Sequence, residues 1–225
     1  MSTAQKLCAV VPVKDLGQAK QRLDGVLSGA RRRALALAML EDVLATLASV
    51  PELADILVVT IDPAARRIAS RLGARVSGNG ARDGHTGAVA AATRELAAEG
   101  CAMLGLPGDI PLVEAEDVRR LIAAHDSAPA FTIVPARDDQ GSNAVVCSPA
   151  DAVPLRFGEN SFFPHLAAAR ACGIEPRVVR LPRIALDIDT PDDLALLLAA
   201  PANTRARRLL DQWRIELDDR IKASA

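Results

Sequence analysis

The sequence predicts an α/β fold: a single domain with a mostly parallel, doubly wound sheet and helices on both faces. Two observations support this prediction. Apolar runs alternate with helical patterns at intervals of roughly 20–30 residues, as in βαβ units with right-handed crossovers. The first run, LCAVVPV at residues 7–13, is continuously apolar, which is typical of a parallel strand buried on both faces. The 225 residues, 50% of them hydrophobic, suffice for one such domain.

The composition excludes several classes of function. A net charge of −1 gives no electrostatic case for nucleic-acid binding, and one Trp, four Phe and no Tyr offer few platforms for stacked bases. No apolar run is long enough to span a membrane, and the N-terminus does not resemble a signal peptide. Without a C-x-x-C pair, the four cysteines are expected to be buried free thiols in a reducing cytoplasm. These are Cys8, Cys101, Cys147 and Cys172.

The first strand runs into a basic segment that contains Lys14, Lys20 and Arg22. Open α/β sheets bind ligands outside the carboxyl ends of their strands. Three cations at that position would suit a polyphosphate. Because no G-K-[ST] or G-x-G-x-x-G motif accompanies them, a solvated basic loop is the alternative interpretation.

A glycine-rich segment at residues 78–87 follows the next βαβ elements and leads into an alanine-rich helix at 88–99. The preceding elements are a helix at 30–50, a strand at 54–60, a helix at 63–72 and a short strand at 74–77. Backbone N–H groups of such a segment could hold a base, sugar or phosphate. Its Gly84, His85 and Thr86 are therefore candidate nucleotide contacts, and an exposed flexible connection is the alternative.

Polar residues follow the later strands as well. Asp109 comes directly after a predicted strand at 101–106, between two prolines. A strand at 130–135, a turn at 138–142 and a returning strand at 143–147 predict an antiparallel excursion on the parallel sheet. A helix at 113–126 is predicted before this excursion. A helix that ends at Cys172 and a strand at 175–181 are predicted after it.

The stretch LDIDTPDDL at residues 186–194 predicts a strand end followed by a helix start. In a strand, Asp187 and Asp189 share one face with Cα atoms roughly 7 Å apart. Two carboxylates held side by side repel each other unless a cation lies between them, and Mg²⁺ prefers such hard oxygen ligands. Thr190 is a good N-cap, and a solvated acidic cap is the preferred interpretation for Asp192 and Asp193.

The chain ends in a predicted amphipathic helix at residues 204–222, after a break at 201–203. Its apolar stripe consists of Leu210, Trp213, Leu217 and Ile221. We therefore expect a domain at residues 1–200 and a tail at 201–225. The tail is expected to pack against the domain or against a second subunit in a homodimer, and its mixed charges argue against a membrane surface.

Several of these segments, taken together, resemble the 2-phospho-L-lactate and phosphoenolpyruvate guanylyltransferases of coenzyme F420 biosynthesis, relatives of the molybdenum-cofactor-type nucleotidyltransferases. The resemblance spans residues 10–198. The matching segments are VPVK at 11–14, AKQRL at 19–23, LPGDIPL at 106–112, GSNA at 141–144, Phe157-Gly158 with Ser161 and His165, and LDIDTPDDL at 186–194.

The resemblance implies a three-layer Rossmann-like nucleotidyltransferase fold and a reaction. GTP and a small phosphorylated three-carbon acid (2-phospho-L-lactate, phosphoenolpyruvate or 3-phospho-D-glycerate) would give a guanosine diphospho-acid and pyrophosphate. It also implies the roles of three groups of residues. Asp109, Asp187 and Asp189 would hold Mg²⁺ and act in catalysis with Lys20; Ser142, Gly158 and Ser161 would hold the acid's phosphate; Lys14, Lys20 and Arg22 would face the triphosphate.

The sequence departs from the family pattern at two places. The segment GHTG at residues 84–87 lacks the usual asparagine, so nucleotidyl transfer is better supported than a strict preference for GTP. Ser142 stands where threonine is common, which keeps the hydroxyl. Transfer to another acceptor, such as a sugar or pterin phosphate, and a non-catalytic nucleotide-binding module are the alternatives.

Overall fold

The computed structural model describes residues 5–14, 16–158 and 160–215, which form seven strands and eight α-helices. The strands are β1 (Leu7–Pro12), β2 (Asp55–Val59), β3 (Arg75–Ser77), β4 (Ala102–Gly105), β5 (Ala130–Pro135), β6 (Ser142–Ser148) and β7 (Arg177–Val178). The helices are α1 (Gly29–Ala48), α2 (Pro63–Arg71), α3 (Gly84–Ala98), α4 (Ala115–Ala123), α5 (Phe162–Ala171), α6 (Pro182–Ala185), α7 (Pro191–Ala199) and α8 (Arg205–Trp213). Two short 3₁₀ helices, Leu16–Gln18 and Gln21–Leu23, follow β1.

The strands form one mostly parallel sheet in the order β3-β2-β1-β4-β6-β5-β7. β6 is antiparallel to both of its neighbours, and the other pairs are parallel. This confirms the predicted antiparallel excursion. The strand order reverses between β1 and β4, and the carboxyl ends of these two strands are where open α/β sheets bind ligands.

Helices cover both faces of the sheet, so the domain has the predicted three layers. Successive residues of β1 alternate between two apolar cores: Val11 packs in one and Val10 in the other. The first core includes residues of α1, α2, α4, α7 and α8, and the second includes residues of α3 and α5. Burial on both faces explains why the β1 sequence is apolar throughout.

The predicted strand leading into the acidic stretch is the main error. Only Arg177–Val178 pairs with β5, and residues 186–189 form no strand. Pro176 and Pro182 flank the segment, and a proline cannot donate a ladder hydrogen bond. The chain enters α6 at Pro182 and reaches the acidic stretch as irregular backbone.

Two smaller predictions also need correction. α3 begins at Gly84 and not at residue 88, so the last glycines of the loop form its first turn. Cys172 is exposed, whereas Cys8, Cys101 and Cys147 are buried as expected. The cytoplasmic location stays a prediction. None of the helices in the part of the chain described here is long and apolar enough to cross a membrane.

The tail packs on the domain through α8. Leu210 is fully buried, and Asp42 of α1 accepts hydrogen bonds from the backbone N–H groups of Arg205 and Ala206. The guanidinium of Arg31 lies over the Trp213 ring, 5.4 Å from its centroid. The predicted helix continues to residue 222, but Leu217 and Ile221 lie outside the described residues. Homodimer formation stays a prediction.

Candidate active site

One cavity of about 1210 Å³ lies at the carboxyl ends of β1 and β4. The cavity brings together the predicted site residues from six separate segments of the chain. They are Lys14, Lys20, Arg22, Gly84, His85, Thr86, Asp109, Ser142, Gly158, Ser161, Asp187 and Asp189. Their placement in one cavity is what the sequence predicted; their individual roles stay predictions.

The three aspartates reach the cavity from two segments that are joined by their backbones. The backbone N–H of Ile188 donates to the carbonyl oxygen of Asp109 at 3.0 Å. Because Ile188 is fully buried on one side, the side chains of Asp187 and Asp189 both line the cavity, although no strand forms there. Asn143 holds Asp187 in place: its Nδ2 donates to Oδ1 of Asp187 at 3.0 Å.

Lys20 lies between two of these carboxylates. Its Nζ is 2.6 Å from Oδ2 of Asp109 and 2.6 Å from Oδ1 of Asp189, and its side chain is only 6% exposed. Burial alone would lower the pKa of Lys20, but the two carboxylates outweigh it and raise that pKa above its usual range. Lys20 has a left-handed backbone at φ 54°, a conformation that costs free energy for a residue with a Cβ.

The three aspartates and Lys20 are together called the aspartate cluster. The cluster has three carboxyl groups and only one ammonium group, so its negative charge is not fully balanced. Burial and the nearby charge of Asp109 raise the pKa of Asp187. Oδ1 of Asp109 is buried and has no hydrogen-bond partner among the described atoms. An unpartnered carboxylate oxygen in a set of hard donors fits Mg²⁺. Within residues 5–14, 16–158 and 160–215, however, no three His, Cys, Asp or Glu side chains are arranged as a complete metal site.

A second cluster, called here the serine cluster, consists of Ser142, Ser161 and His165. Ser142 begins β6, and its Oγ lies 3.0 Å from Nδ1 of His165. The hydroxyl of Ser161 donates to Oγ of Ser142 at 3.2 Å and does not cap α5. Ser161 precedes α5 with helical backbone dihedrals, and its hydroxyl takes part in the cluster instead of capping the helix.

The loop at residues 156–158 is fixed against both His165 and α3. The backbone N–H of Arg156 donates to Nε2 of His165 at 3.0 Å. The hydroxyl of Thr86 accepts from the backbone N–H of Phe157 at 3.0 Å and donates to its carbonyl oxygen at 3.1 Å. Gly158 follows with φ 145°, which an L side chain rarely adopts. Thr86 thus connects the glycine-rich segment to the serine cluster.

The Phe157 ring lies between two histidines. Its centroid is 4.7 Å from that of His85 and 5.0 Å from that of His165. Burial lowers the pKa of each histidine to about 4, so both imidazoles are neutral at pH 7. Neither histidine therefore supplies positive charge to an anionic ligand.

Sequence reasoning missed Asn143, Arg137 and the role of Asp193. Asn143 stands in the GSNA segment, directly after the candidate phosphate ligand Ser142. Asp193 is buried, forms a capping box with Thr190 and pairs with Arg137 at 3.0 Å, so the solvated interpretation is wrong for it. Asp192 is exposed as expected. No local signal marks Arg137, because the turn between β5 and β6 brings it to the cavity.

The chain is similar to known guanylyltransferases over nearly its whole length. Residues 7–224 match the family model described as "Guanylyl transferase CofC like". The phosphoenolpyruvate guanylyltransferase of Roseiflexus castenholzii is 38% identical over 96% of this chain and 99% of its own. That of Rubrobacter xylanophilus is 40% identical over 85% and 93%. The 2-phospho-L-lactate guanylyltransferase of Methanothermobacter thermautotrophicus is 34% identical over 97% and 98%.

Solved structures share the fold at lower identity. A nucleotide-diphospho-sugar transferase from Desulfovibrio desulfuricans has a TM-score of 0.70 at 20% identity, with 98% of each chain covered. A nucleotidyl transferase from Methanothermobacter thermautotrophicus has a TM-score of 0.59 at 18% identity, covering 93% of this chain and 100% of its own. The domain therefore has the Rossmann-like nucleotidyltransferase fold.

Proposed function

Because the chain belongs to the CofC-like guanylyl transferase family, we propose that it transfers GMP from GTP to the phosphate of a small three-carbon acid and releases pyrophosphate. The observation that carries the proposal is that the aspartate and serine clusters share one cavity. Asn143 binds Asp187 and directly follows Ser142, so the two clusters are neighbours. We propose this reaction as a step of coenzyme F420 biosynthesis.

The chemistry that the site must perform is the approach of two anions. A phosphate oxygen of the acid attacks the α-phosphorus of GTP, and the bond to pyrophosphate breaks. The attacking phosphate has a second pKa of about 6 and is already ionised near pH 7, so it needs no general base. The barrier consists mainly of charge repulsion and alignment, which positioned cations and hydrogen-bond donors lower.

The proposed roles of the chain's own residues follow from their positions. Lys14 and Arg22 are exposed on the cavity wall and would attract the triphosphate. Asp109, Asp187 and Asp189 would hold Mg²⁺, which when bound neutralises charge on phosphate oxygens. Lys20 bridges Asp109 and Asp189 in the described arrangement and would lie beside the phosphates.

We propose that the serine cluster and Gly158 hold the acid's phosphate. Ser142 and Ser161 are two hydroxyls 3.2 Å apart on the wall of the cavity, and Gly158 allows a close approach of the backbone. Gly84 and His85, in the first turn of α3, would contact the nucleotide. The two relatives at 38% and 40% identity are named for phosphoenolpyruvate, so we expect this acid to react fastest.

The direct test is to incubate the protein with GTP, Mg²⁺ and each of phosphoenolpyruvate, 2-phospho-L-lactate and 3-phospho-D-glycerate, and to measure pyrophosphate. We expect release that depends on the acid. If no acid supports release, the proposed function is wrong. Release only with a sugar or pterin phosphate would identify a different acceptor, and GTP binding without turnover would indicate a non-catalytic module.

A further inference from the structure

We propose that His165 is a positioning residue that makes the hydroxyl of Ser142 a hydrogen-bond donor toward the acid substrate. The inference rests on the proposed function, because it states whether Ser142 donates or accepts a hydrogen bond in the proposed pocket for the acid's phosphate. His165 does not line the cavity and is 1% exposed, so it acts through Ser142 and not by contact with a ligand.

The first step is the position of the proton on the imidazole. The backbone N–H of Arg156 can only donate, and it points at Nε2 of His165 from 3.0 Å. Nε2 must therefore accept and carry no proton, and in a neutral imidazole the proton is then on Nδ1. Burial keeps the ring neutral at pH 7, since it lowers the pKa of His165 to about 4.

The second step is the hydrogen-bond count at Ser142. Protonated Nδ1 of His165 donates to Oγ of Ser142 at 3.0 Å, and the hydroxyl of Ser161 donates to the same oxygen at 3.2 Å. A serine oxygen has two acceptor positions and one proton. Both acceptor positions of Ser142 are used within the protein, so its own proton is left for a group in the cavity that Ser142 lines.

The third step is the effect on selectivity. The oxygens of an ionised phosphate accept hydrogen bonds and do not donate them. With the proton on Nε2, Ser142 would have to donate to Nδ1 and would turn an oxygen lone pair toward the phosphate, which repels it. The hydrogen bond from Arg156, 9 residues before His165, therefore sets the preference of this pocket for an anion.

Two amide substitutions distinguish the role of Nδ1 of His165 from that of Nε2. In His165→Asn the side-chain NH₂ can replace Nδ1–H as the donor to Ser142, whereas the longer side chain in His165→Gln reaches the Nε2 position. We expect the KM for the acid to rise about tenfold in His165→Gln and less than about threefold in His165→Asn. The KM for GTP should stay within about twofold of wild type in both variants. Equal acid KM values in the two variants would overturn the inference.

A double-mutant cycle tests whether His165 acts through Ser142. Ser142→Ala should raise the acid KM about tenfold, and adding His165→Gln to it should have little further effect. Additive effects on the acid KM would contradict the inference. The matched control is His125→Gln, since His125 also bridges two hydroxyls, those of Thr132 and Ser148, each at 2.8 Å. This control should lower the melting temperature without changing the acid KM.

The tautomer can be measured without turnover. In a long-range ¹H–¹⁵N spectrum of the ligand-free protein at pH 7, His165 should show a protonated Nδ1 and a bare Nε2, assigned by loss of the signals in His165→Gln. A proton on Nε2 would overturn the inference even if the enzyme is active. Absence of turnover with every acid would instead overturn the proposed function and leave the tautomer result standing.

Discussion

The aspartate cluster and the serine cluster are built from opposite kinds of chemistry. The aspartate cluster is held by full charges: Lys20 lies between Asp109 and Asp189, and a buried oxygen of Asp109 has no hydrogen-bond partner among the described residues. The serine cluster is neutral, and its hydrogen bonds to His165 are complete without a ligand.

The two clusters are therefore expected to affect the stability of the fold in opposite directions. Buried carboxylates without full compensation cost stability and persist where a cation is to be bound. Satisfied neutral hydrogen bonds contribute to stability and fix geometry at the same time. Loss of the Asp187 charge should therefore lower activity and raise stability, whereas substitutions around the serine cluster should lower both.

The largest expected effect is that of Asp187→Asn. The variant keeps Oδ1, which accepts from Asn143, and loses the charge. Turnover should fall by at least about 100-fold, since a charged ligand of the proposed cation is lost. The melting temperature at pH 7 should rise, because burial and Asp109 raise the pKa of Asp187 and its ionised form destabilises the fold.

The pH dependence of stability checks the cause of that rise. The contribution of Asp187 to stability is complete below the ordinary pKa of 3.8 and is lost as the pH rises through its raised value in the folded protein. The gain in Asp187→Asn should therefore disappear below pH 3.8. Asp151→Asn, at an exposed position outside the cavity, is the control and should change neither quantity. Near-wild-type turnover in Asp187→Asn would refute the metal assignment.

Lys20→Met should have the second largest effect, now on stability. It leaves Asp109 and Asp189 facing each other without a counter-charge. We expect the free energy of unfolding at pH 7 to fall by about 2 kcal/mol, less than for a fully buried ion pair, because both carboxylates are partly exposed. Urea unfolding measures the change, and Lys6→Met, at an exposed lysine, is the control.

The sign of the Lys20 contribution gives a second check. Its pKa is raised, so its stabilisation is complete below the ordinary value of 10.5 and is lost only as the pH rises through the higher value in the folded protein. Lys20 titration should therefore leave the stability of the wild type unchanged between pH 6 and 9. An unchanged free energy of unfolding in Lys20→Met would show that the ion pairs contribute nothing.

Mg²⁺ should stabilise the aspartate cluster to a different extent in each variant. If the carboxylates bind the cation, MgCl₂ should raise the melting temperature relative to a chelator, and the rise should be greater in Lys20→Met, where no ammonium competes for Asp109 and Asp189. Asp187→Asn should respond less than the wild type. Removal of Mg²⁺ should also abolish pyrophosphate release. Identical melting curves with MgCl₂ and with the chelator in every variant would rule out this cation site.

The sequence predicted the location of both clusters better than their internal contacts. Residues at strand ends meet at one edge of a sheet, so Asp109 could be expected near the basic segment. Apolar Ile188 between Asp187 and Asp189 kept both carboxylates on one side even though the strand prediction was wrong. The placement of both carboxylates in the cavity depends on the burial of Ile188 and not on strand pairing.

The contacts inside the clusters could not be predicted, because they join distant parts of the chain. Lys20 is separated by 89 residues from Asp109 and by 169 from Asp189, and a basic residue before a helix does not show which carboxylate it will meet. The proton on His165 depends on a backbone N–H that has no sequence signature. Pairing of this kind is decided by tertiary packing.

The smallest expected effect is that of Thr86→Val, which separates two interpretations of Thr86. The sequence predicted a nucleotide contact, but its hydroxyl binds both backbone groups of Phe157. Valine has nearly the same shape and lacks the hydroxyl, so we expect a loss of about 1 kcal/mol in the free energy of unfolding. The acid KM should rise about threefold while the GTP KM stays unchanged, because the loop beside the serine cluster is loosened. Thr86→Ser keeps the hydroxyl and should restore the acid KM, whereas a rise in the GTP KM alone would favour the direct nucleotide contact.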